Sequence, residues 1–320
     1  MMEGNIFQAI GKPKKLTAKN HEEWLSLRQG IGSSEVASIL GVNKWESPYQ
    51  LWLRKTKRTP PKEENFAMKA GHYLEDAVAR FWQDETGKTV IKRSAEETVF
   101  VHPELDYLRV SPDREFWLTN KKNNDRGVLE CKTTQFQIDP ENIPQYWFCQ
   151  VQYQLGVMQR ECGSIAWLSS GREFGYQDIA FVPEFYAWMI EEVTKFWNNH
   201  IIADVEPEVR TVEDVIQKYA KHSDGKFIEA GDETLKAYSE LKEVKEQIAL
   251  LEEKKDNLES QIKIMMQDSE ALTYKGSTLA TWKAPKDSQK FDSKLFQIEQ
   301  PALYTKYLKT SSGSRRFLLR

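Results

Sequence analysis

The residues of this chain best suited to chemistry lie within positions 109–133. Asp113 stands in Ser111-Pro112-Asp113, just after the β-like run Tyr107-Leu108-Arg109-Val110, and Glu130-Cys131-Lys132 lies inside a second β-like run, Gly127-Val128-Leu129-Glu130-Cys131-Lys132-Thr133-Thr134. Residues two apart on a strand share a face, so Glu130 and Lys132 project together while Cys131 turns into the core. A carboxylate from a preceding strand or turn can meet them. Two carboxylates and a lysine on one sheet edge suit Mg²⁺-dependent phosphodiester hydrolysis. Hard oxygen ligands hold the ion, the ion polarises phosphate and water, and the lysine orients the water or helps to deprotonate it. Spacing alone does not single this pair out. Glu240-x-Lys242, Glu243-x-Lys245, Glu252-x-Lys254 and Glu253-x-Lys255 repeat it in a long polar-faced helix, where such pairs are solvated neighbours. Only the copy at 130 has a β-like context and an upstream Asp.

Three other segments carry polar groups in places that ask for a partner. In Gly71–Trp82, Leu74, Val78, Phe81 and Trp82 have helical spacing. Glu75 flanks that stripe, and a carboxylate beside an apolar face needs a counter-charge, an ion or water. In Tyr146–Val157, Gln150 falls on a mostly apolar helical face, where its amide needs either a specific partner or nearby backbone. In Leu27-Arg28-Gln29-Gly30-Ile31-Gly32-Ser33-Ser34-Glu35, Gly32 gives a turn and Ser33 or Ser34 can cap a short helix ending near Gly41. Such a helix start, with two hydroxyls and Arg28 near it, can serve as a phosphate pocket or simply as an ordinary capped helix.

Taken in order, these segments resemble the YqaJ-like viral recombinase family, related to the lambda-type phage exonucleases of the PD-(D/E)xK nuclease superfamily. The resemblance rests on Trp24, Leu27-Arg28-x-Gly30-Ile31-Gly32-Ser33-Ser34-Glu35, Gly71-x-x-x-Glu75, Ser111-Pro112-Asp113, Glu130-x-Lys132 and Gln150-Val151-Gln152-Tyr153, and spans about residues 20–200. It implies a 5′→3′ exonuclease on linear double-stranded DNA that leaves 3′ single-stranded tails for recombination by strand annealing, beside a RecT-type annealing protein. It implies Mg²⁺, with Mn²⁺ as a substitute and two ions per site. By motif position Asp113, Glu130, Glu75 and the backbone carbonyl of Cys131 would be metal ligands. Lys132 would act on the nucleophilic water, Gln150 would help position it, and Arg28, Ser33 and Ser34 would hold phosphate near the DNA end. It also implies a homo-oligomer, with a ring trimer as the lambda-type precedent. A structure-specific or restriction-type endonuclease on the same fold, and a non-catalytic DNA-end or partner-binding module, are the competing readings.

Composition bounds these readings. A chain of 320 residues, 40% hydrophobic and 12% aromatic, can bury a substantial core. No apolar run approaches the ~20 residues of a bilayer span, and the first residues lack a signal-peptide apolar region, so a cytoplasmic protein is expected. The three cysteines, Cys131, Cys149 and Cys162, are sparse and have no C-x-x-C spacing, which argues against a disulfide framework, zinc fingers and a four-cysteine iron–sulfur cluster. The 45 basic and 48 acidic residues give a net charge of −3, unlike the usual basic footprint of a strong duplex binder. A basic channel within an acidic protein is compatible with that balance, and weak non-specific affinity suits an enzyme that starts at an end and moves on.

The elements that must position these residues read as follows. Residues 1–20 form an arm. Helices lie within 21–58, the second opened by Ser47 as cap and Pro48 at the first turn. A helix runs over 66–86 and stops at Gly87. Strands lie near 88–93, 97–102, 106–118 and 127–133, with a polar hairpin tip at 121–125. A helix covers 143–159, strands 164–169 and 174–182 follow, then a helix at 184–201. This order predicts an α/β (α+β) fold, a restriction-endonuclease-like mixed sheet flanked by helices, over residues 1–204. Residues 205–320 form a second region. It holds a linker with a short helix, a heptad helix at about 232–268, a hairpin at 271–274 and 278–283, and a basic tail. In the heptads Leu241, Val244, Ile248, Leu251, Leu258, Ile262 and Met265 fill a and d, with Lys255 the polar a position. That seam predicts either a coiled coil or an amphipathic helix packed within its own domain.

Overall fold

The structure, a computed structural model, describes residues 11–60, 65–91, 98–119, 125–309 and 313–319. The hairpin tip at 121–124, the loop at 61–64, the start of the N-terminal arm and part of the basic tail lie outside them. The chain divides into two compact units, Met1–Lys218 and Tyr219–Arg320.

The elements of the first unit are β1 (Lys14–Thr17), α1 (His21–Leu27), β2 (Ile31–Gly32), a 3₁₀ turn (Ser33–Glu35) leading into α2 (Val36–Ile39), α3 (Pro48–Lys55), α4 (Phe66–Thr86), β3 (Val90–Ile91), β4 (Thr98–Val101), β5 (Leu108–Val110), β6 (Arg114–Trp117), β7 (Arg126–Thr134), α5 (Gln145–Met158), β8 (Cys162–Ser169), β9 (Glu173–Ala180), α6 (Pro183–Phe196) and α7 (Val212–Lys218). Local chemistry sets several ends. Ser47 Oγ accepts from the Gln50 N–H at 3.1 Å with Pro48 at the first position of α3, and Asn65 Oδ1 accepts from the Met68 N–H at 2.9 Å at the start of α4. Gly87 closes α4 with φ 67°, the left-handed cap that glycine adopts most readily.

Two sheets organise the unit. A five-stranded sheet has the order β3-β6-β7-β8-β9, and only β7 and β8 run parallel, joined through α5. A four-stranded sheet has the order β1-β4-β5-β2. Alternation along β7 divides the core. Leu129 and Cys131 pack with Val78, Ala79 and Trp82 of α4, while Val128 packs with Val151 and Leu155 of α5.

Three placements differ from the sequence reading. Residues 106–118 form two strands, not one: β5 belongs to the four-stranded sheet and β6 to the five-stranded sheet. Pro112, which has no N–H to give a ladder, sits at the break. Glu130 and Lys132 lie on the middle strand of the sheet rather than its edge. Lys14–Thr17 of the arm pairs with β4 in antiparallel register, Thr17 opposite Thr98.

The first unit also runs on to Lys218, past the change of sequence character at 204. Asp214 of α7 is fully buried and accepts from Ser47 Oγ at 2.6 Å, which ties α7 to the cap of α3. The second unit contains α8 (Asp232–Met266), β10 (Ala271–Tyr274), β11 (Ser277–Thr281), α9 (Ser293–Glu299) and α10 (Pro301–Tyr307). Lys275 and Gly276, at the tip of the β10–β11 hairpin, both have positive φ, as a type I′ turn requires.

Candidate active site

The break between β5 and β6 brings Asp113 to the junction of the two sheets, beside β7. Its Oδ2 accepts the Cys131 N–H at 2.8 Å. Glu130 and Lys132 face α5, and Gln150 meets them from that helix. Lys132 Nζ lies 2.7 Å from Glu130 Oε1 and donates to Gln150 Oε1 at 2.9 Å, while Gln150 Nε2 donates to the same Glu130 oxygen at 2.5 Å. The three side chains close a triangle, so each fixes the rotamers of the other two. Glu130 and Gln150 are buried, at 3% and 9% exposure, and the hydrogen bonds offset the cost of placing a carboxylate and an amide there.

Electrostatics bear on what this cluster can hold. Burial pushes the Asp113 carboxyl well above the usual carboxylate range, and the Glu130 and Glu75 carboxylates add to the rise. Lys132 and the Cys131 N–H oppose it without cancelling it. For Lys132 burial acts to depress the pKa, but Glu130 and Asp113 outweigh it and the ammonium is held charged. Two acidic side chains and the Cys131 carbonyl are hard oxygen donors of the type that suits Mg²⁺ or Mn²⁺, and the excess of negative charge around Asp113 is of the sign a cation would relieve.

Glu75 stands apart from this group. It comes from α4, on the opposite face of the sheet. Its Oε1 contacts His72 Nδ1 at 3.1 Å, and its Oε2 lies 4.0 Å from an Arg114 nitrogen. Arg114 itself is held by Asp76 at 2.6 Å. Among the described residues no three His, Cys, Asp or Glu side chains converge closely enough to hold an ion. The structure thus brings Asp113, Glu130, Lys132 and Gln150 together and leaves Glu75 within electrostatic reach of Asp113.

The glycine-serine segment is placed next to this cluster, by a different device from the one its sequence suggests. Gly30 has φ 134°, and a Cβ there would lie 2.4 Å from the Tyr107 carbonyl oxygen, so only glycine lets Ile31 pair with Leu108. Neither Ser33 nor Ser34 caps a helix. Gly32 holds the cap position, and its N–H donates to Glu35 Oε2 at 2.8 Å. The helix that follows has four residues and no developed dipole, so a phosphate pocket built on its N-terminus is not formed. Ser33 is buried and accepts from Gln154 Nε2 at 3.3 Å. Ser34 is exposed and lines a cleft of about 920 Å³ with Asn43, Arg54, Lys57 and Arg58. The Arg28 guanidinium stacks 4.3 Å from the Trp24 ring centroid. Burial lowers its pKa and Arg54 adds to the fall, while the Glu35 and Asp113 carboxylates oppose it.

Two groups escape a reading of the sequence. Gln154 donates to Glu130 Oε2 at 2.7 Å, so both oxygens of that carboxylate are engaged. Its signal is the i+4 spacing from Gln150, which puts both amides on one helix face. Glu35 is buried in a charged cluster with Lys55 at 2.6 Å and Arg54 at 3.0 Å. Glu35 stands inside a serine-rich turn, and nothing local predicts partners drawn from α3. Gln152 and Tyr153 are structural: Gln152 bonds the Ala180 carbonyl and the Val182 N–H, and Tyr153 donates to the Ile31 carbonyl at 2.7 Å.

A second cleft, about 860 Å³, is lined by Phe66, Phe136, Tyr146 and Thr133 together with Trp45. Trp45 borders both clefts and packs edge-on to Tyr146 at 5.1 Å. Burial raises the Tyr146 hydroxyl pKa and the nearby Lys132 ammonium opposes the rise, which ties this cleft to the cluster.

Comparison with known proteins places these features in context. In solved structures the chain is similar to an alkaline exonuclease (LHK-Exo) from Laribacter hongkongensis, with TM-score 0.44 and 19% identity over 57% of this chain and 93% of that one. It is also similar to a phage related exonuclease from Haemophilus somnus 129PT, with TM-score 0.41 and 13% identity over 55% and 96% of the two chains. The uncharacterized protein YqaJ of Bacillus subtilis (strain 168) is 32% identical over 322 aligned positions, covering 96% of this chain and 97% of that protein. Residues 23–161, which hold Arg28, Glu75, Asp113, Glu130, Lys132 and Gln150, match the YqaJ-like viral recombinase domain, and with that full-length relative the chain belongs to the YqaJ-like viral recombinase family.

Proposed function

We propose that this chain is a metal-dependent deoxyribonuclease that degrades linear double-stranded DNA from 5′ ends and leaves 3′ single-stranded tails, on which a RecT-type annealing protein acts. The observation that carries this reading is the triangle of Glu130, Lys132 and Gln150 beside Asp113, a hydrolytic constellation rather than a folding device: an apolar set at these positions would fill the same space without the cost of burying charge. Membership of a viral recombinase family supports recombination as the setting.

In this reading Asp113, Glu130 and the Cys131 carbonyl would hold Mg²⁺, and Glu75 would add negative charge from the other face of the sheet. When bound, the ion supplies Lewis-acid stabilisation of charge on the phosphate. The chain's own groups do the rest. Lys132 orients the attacking water and a phosphate oxygen. Gln150 and Gln154 hold Glu130 in one rotamer. Arg28 and Ser34 engage phosphate along the cleft.

The test is digestion of one duplex in linear and circular form, with Mg²⁺ or with chelator. Expected are loss of linear DNA, recovery of 3′ single strands, sparing of the circle and arrest by chelator. Cleavage of the circle would make it an endonuclease, and no hydrolysis under any condition would make it a binding module. Among the described residues no helix is long and apolar enough to cross a membrane.

A further inference from the structure

Among the described residues the seam of α8 is exposed. Its a and d side chains range from 37% exposed at Leu241 to 75% at Met265, with Ile248 at 48% and Leu251 at 65%. A row of large aliphatic groups along a helix of 35 residues, on the order of 50 Å long, calls for a partner surface of the same length and periodicity. The charges flanking the seam identify one. In two parallel helices in register, each g residue faces the e residue five positions on in the other strand. Here Glu240 faces Lys245, Lys254 faces Glu259, and Gln247 faces Glu252, so every flanking pair is attractive or neutral. An antiparallel pair that keeps the same layers, with Ile248 against Leu258, sets Glu252 against Glu252 and Lys254 against Lys254 at its centre. Ile248 and Ile262 at a, with Leu251 and Leu258 at d, favour two strands over three. Lys255 at a fixes register at a cost in stability, and its Nζ reaches Asp256 on its own helix at 3.3 Å, which keeps its charge compensated beside its counterpart.

We propose that the occupant of this seam is the α8 helix of a second copy of this chain, parallel and in register. Dimerisation through α8 is independent of the nuclease reading, because no residue of the candidate active site lies in the second unit.

The experiment uses the full chain. Lys245→Glu with Lys254→Glu makes the flanking positions repel, as does Glu240→Lys with Glu259→Lys. Each double variant should halve the solution mass relative to wild type, whatever assembly the rest of the chain makes, and mixing the two variants should restore it. That restoration distinguishes lost pairing from misfolding. A cysteine at the seam, Leu258→Cys, should link two chains on oxidation, and one on the outer face, Ser260→Cys, should not. A wild-type mass of 37.3 kDa at every concentration would overturn the proposal. So would an unchanged mass in both double variants, a threefold drop, or equal linking by the two cysteines.

Discussion

At the scale of single residues, the site is governed by how few groups neutralise its carboxylates. Glu130 is held by Lys132, Gln150 and Gln154, whereas Asp113 has one backbone N–H. Replacements that keep shape separate chemistry from packing. Asp113→Asn, Glu130→Gln and Lys132→Met should each reduce hydrolysis of linear duplex by roughly 10²–10⁴-fold, the range for losing a group that acts on the reacting proton or charge. Circular dichroism should stay unchanged. A folded variant with near-normal turnover would remove its residue from the mechanism. Glu35 is a structural counterpart with a pH signature. Burial acts to raise its pKa, but Lys55 and Arg54 prevail and hold it below the ordinary value. A carboxylate with a depressed folded pKa contributes stability that is present above its unfolded value and lost as pH falls through the folded one. Glu35→Gln should therefore cost on the order of 3 kcal/mol at neutral pH, since it leaves Lys55 without its counter-charge. The gap from wild type should narrow as pH falls from the unfolded glutamate value of about 4.3 through the lower folded one. Thermal melts at pH 7 and pH 3.5 check it; a gap independent of pH would assign the loss to packing.

At the scale of elements, two close approaches hold the helix that delivers Gln150 and Gln154. Gly156 of α5 lies against Tyr186 of α6, and a Cβ there would fall 2.0 Å from the tyrosine ring. Gly163 of β8 similarly admits the Val128 carbonyl, 2.8 Å from where its Cβ would stand. Gly156→Ala should force α5 and α6 apart, at about 2 kcal/mol for overpacking, or roughly 4–8 °C in melting temperature for a unit of this size. It should also weaken activity, because α5 carries both amides. Recovery of the melting temperature by a second change, Tyr186→Leu, would confirm the clash. Elements of this kind differ in how far the sequence shows them. α4, with an Asn cap, an apolar stripe and a terminal glycine, is legible to the residue, and so is the Ser47–Pro48 start of α3. The parity of β7 is legible too, since a period of two allows one assignment of Glu130, Cys131 and Lys132. The division of 106–118 between two sheets is not. Pro112 marks a break but carries no information on which strands pair beyond it, and the position of β7 at the sheet centre depends on contacts from distant strands. Glu35 falls in the same class, because its partners lie about a helix away. Gln154 was within reach, since Gln150 on an apolar face already asked what its neighbour one turn on was for.

At the scale of the molecule, the boundary between units decides which fragment can stand alone. Sequence character changes near 204, where strands and apolar helices give way to a polar, proline-containing stretch. The physical boundary is later, because Asp214 acts at a distance of 167 residues in the chain. Its carboxylate takes the Ser47 hydroxyl and also the Arg210 and Thr211 N–H groups at 3.0 and 3.1 Å, while Thr211 Oγ1 accepts the Asp214 N–H at 3.1 Å. The pair Thr211 and Asp214 thus starts α7 in the manner of a capping box and at the same time tethers it to the start of α3. Upstream, Arg58 forms two hydrogen bonds to Asp204, at 2.7 and 2.8 Å, and lies over the Trp52 ring. A chain cut after residue 204 keeps that ion pair but strips Ser47 of its buried acceptor. A chain cut after Lys218 loses none of these. Residues 1–218 should fold cooperatively and retain hydrolysis of linear duplex, whereas residues 1–204 should melt several degrees lower, about 1–3 kcal/mol for a buried polar group left without its partner. Equal melting temperatures would show that α7 contributes nothing to the first unit. A well-folded 1–218 fragment without hydrolysis would show that the second unit takes a direct part in binding DNA, and the division of labour between chemistry in one unit and assembly in the other would have to be abandoned.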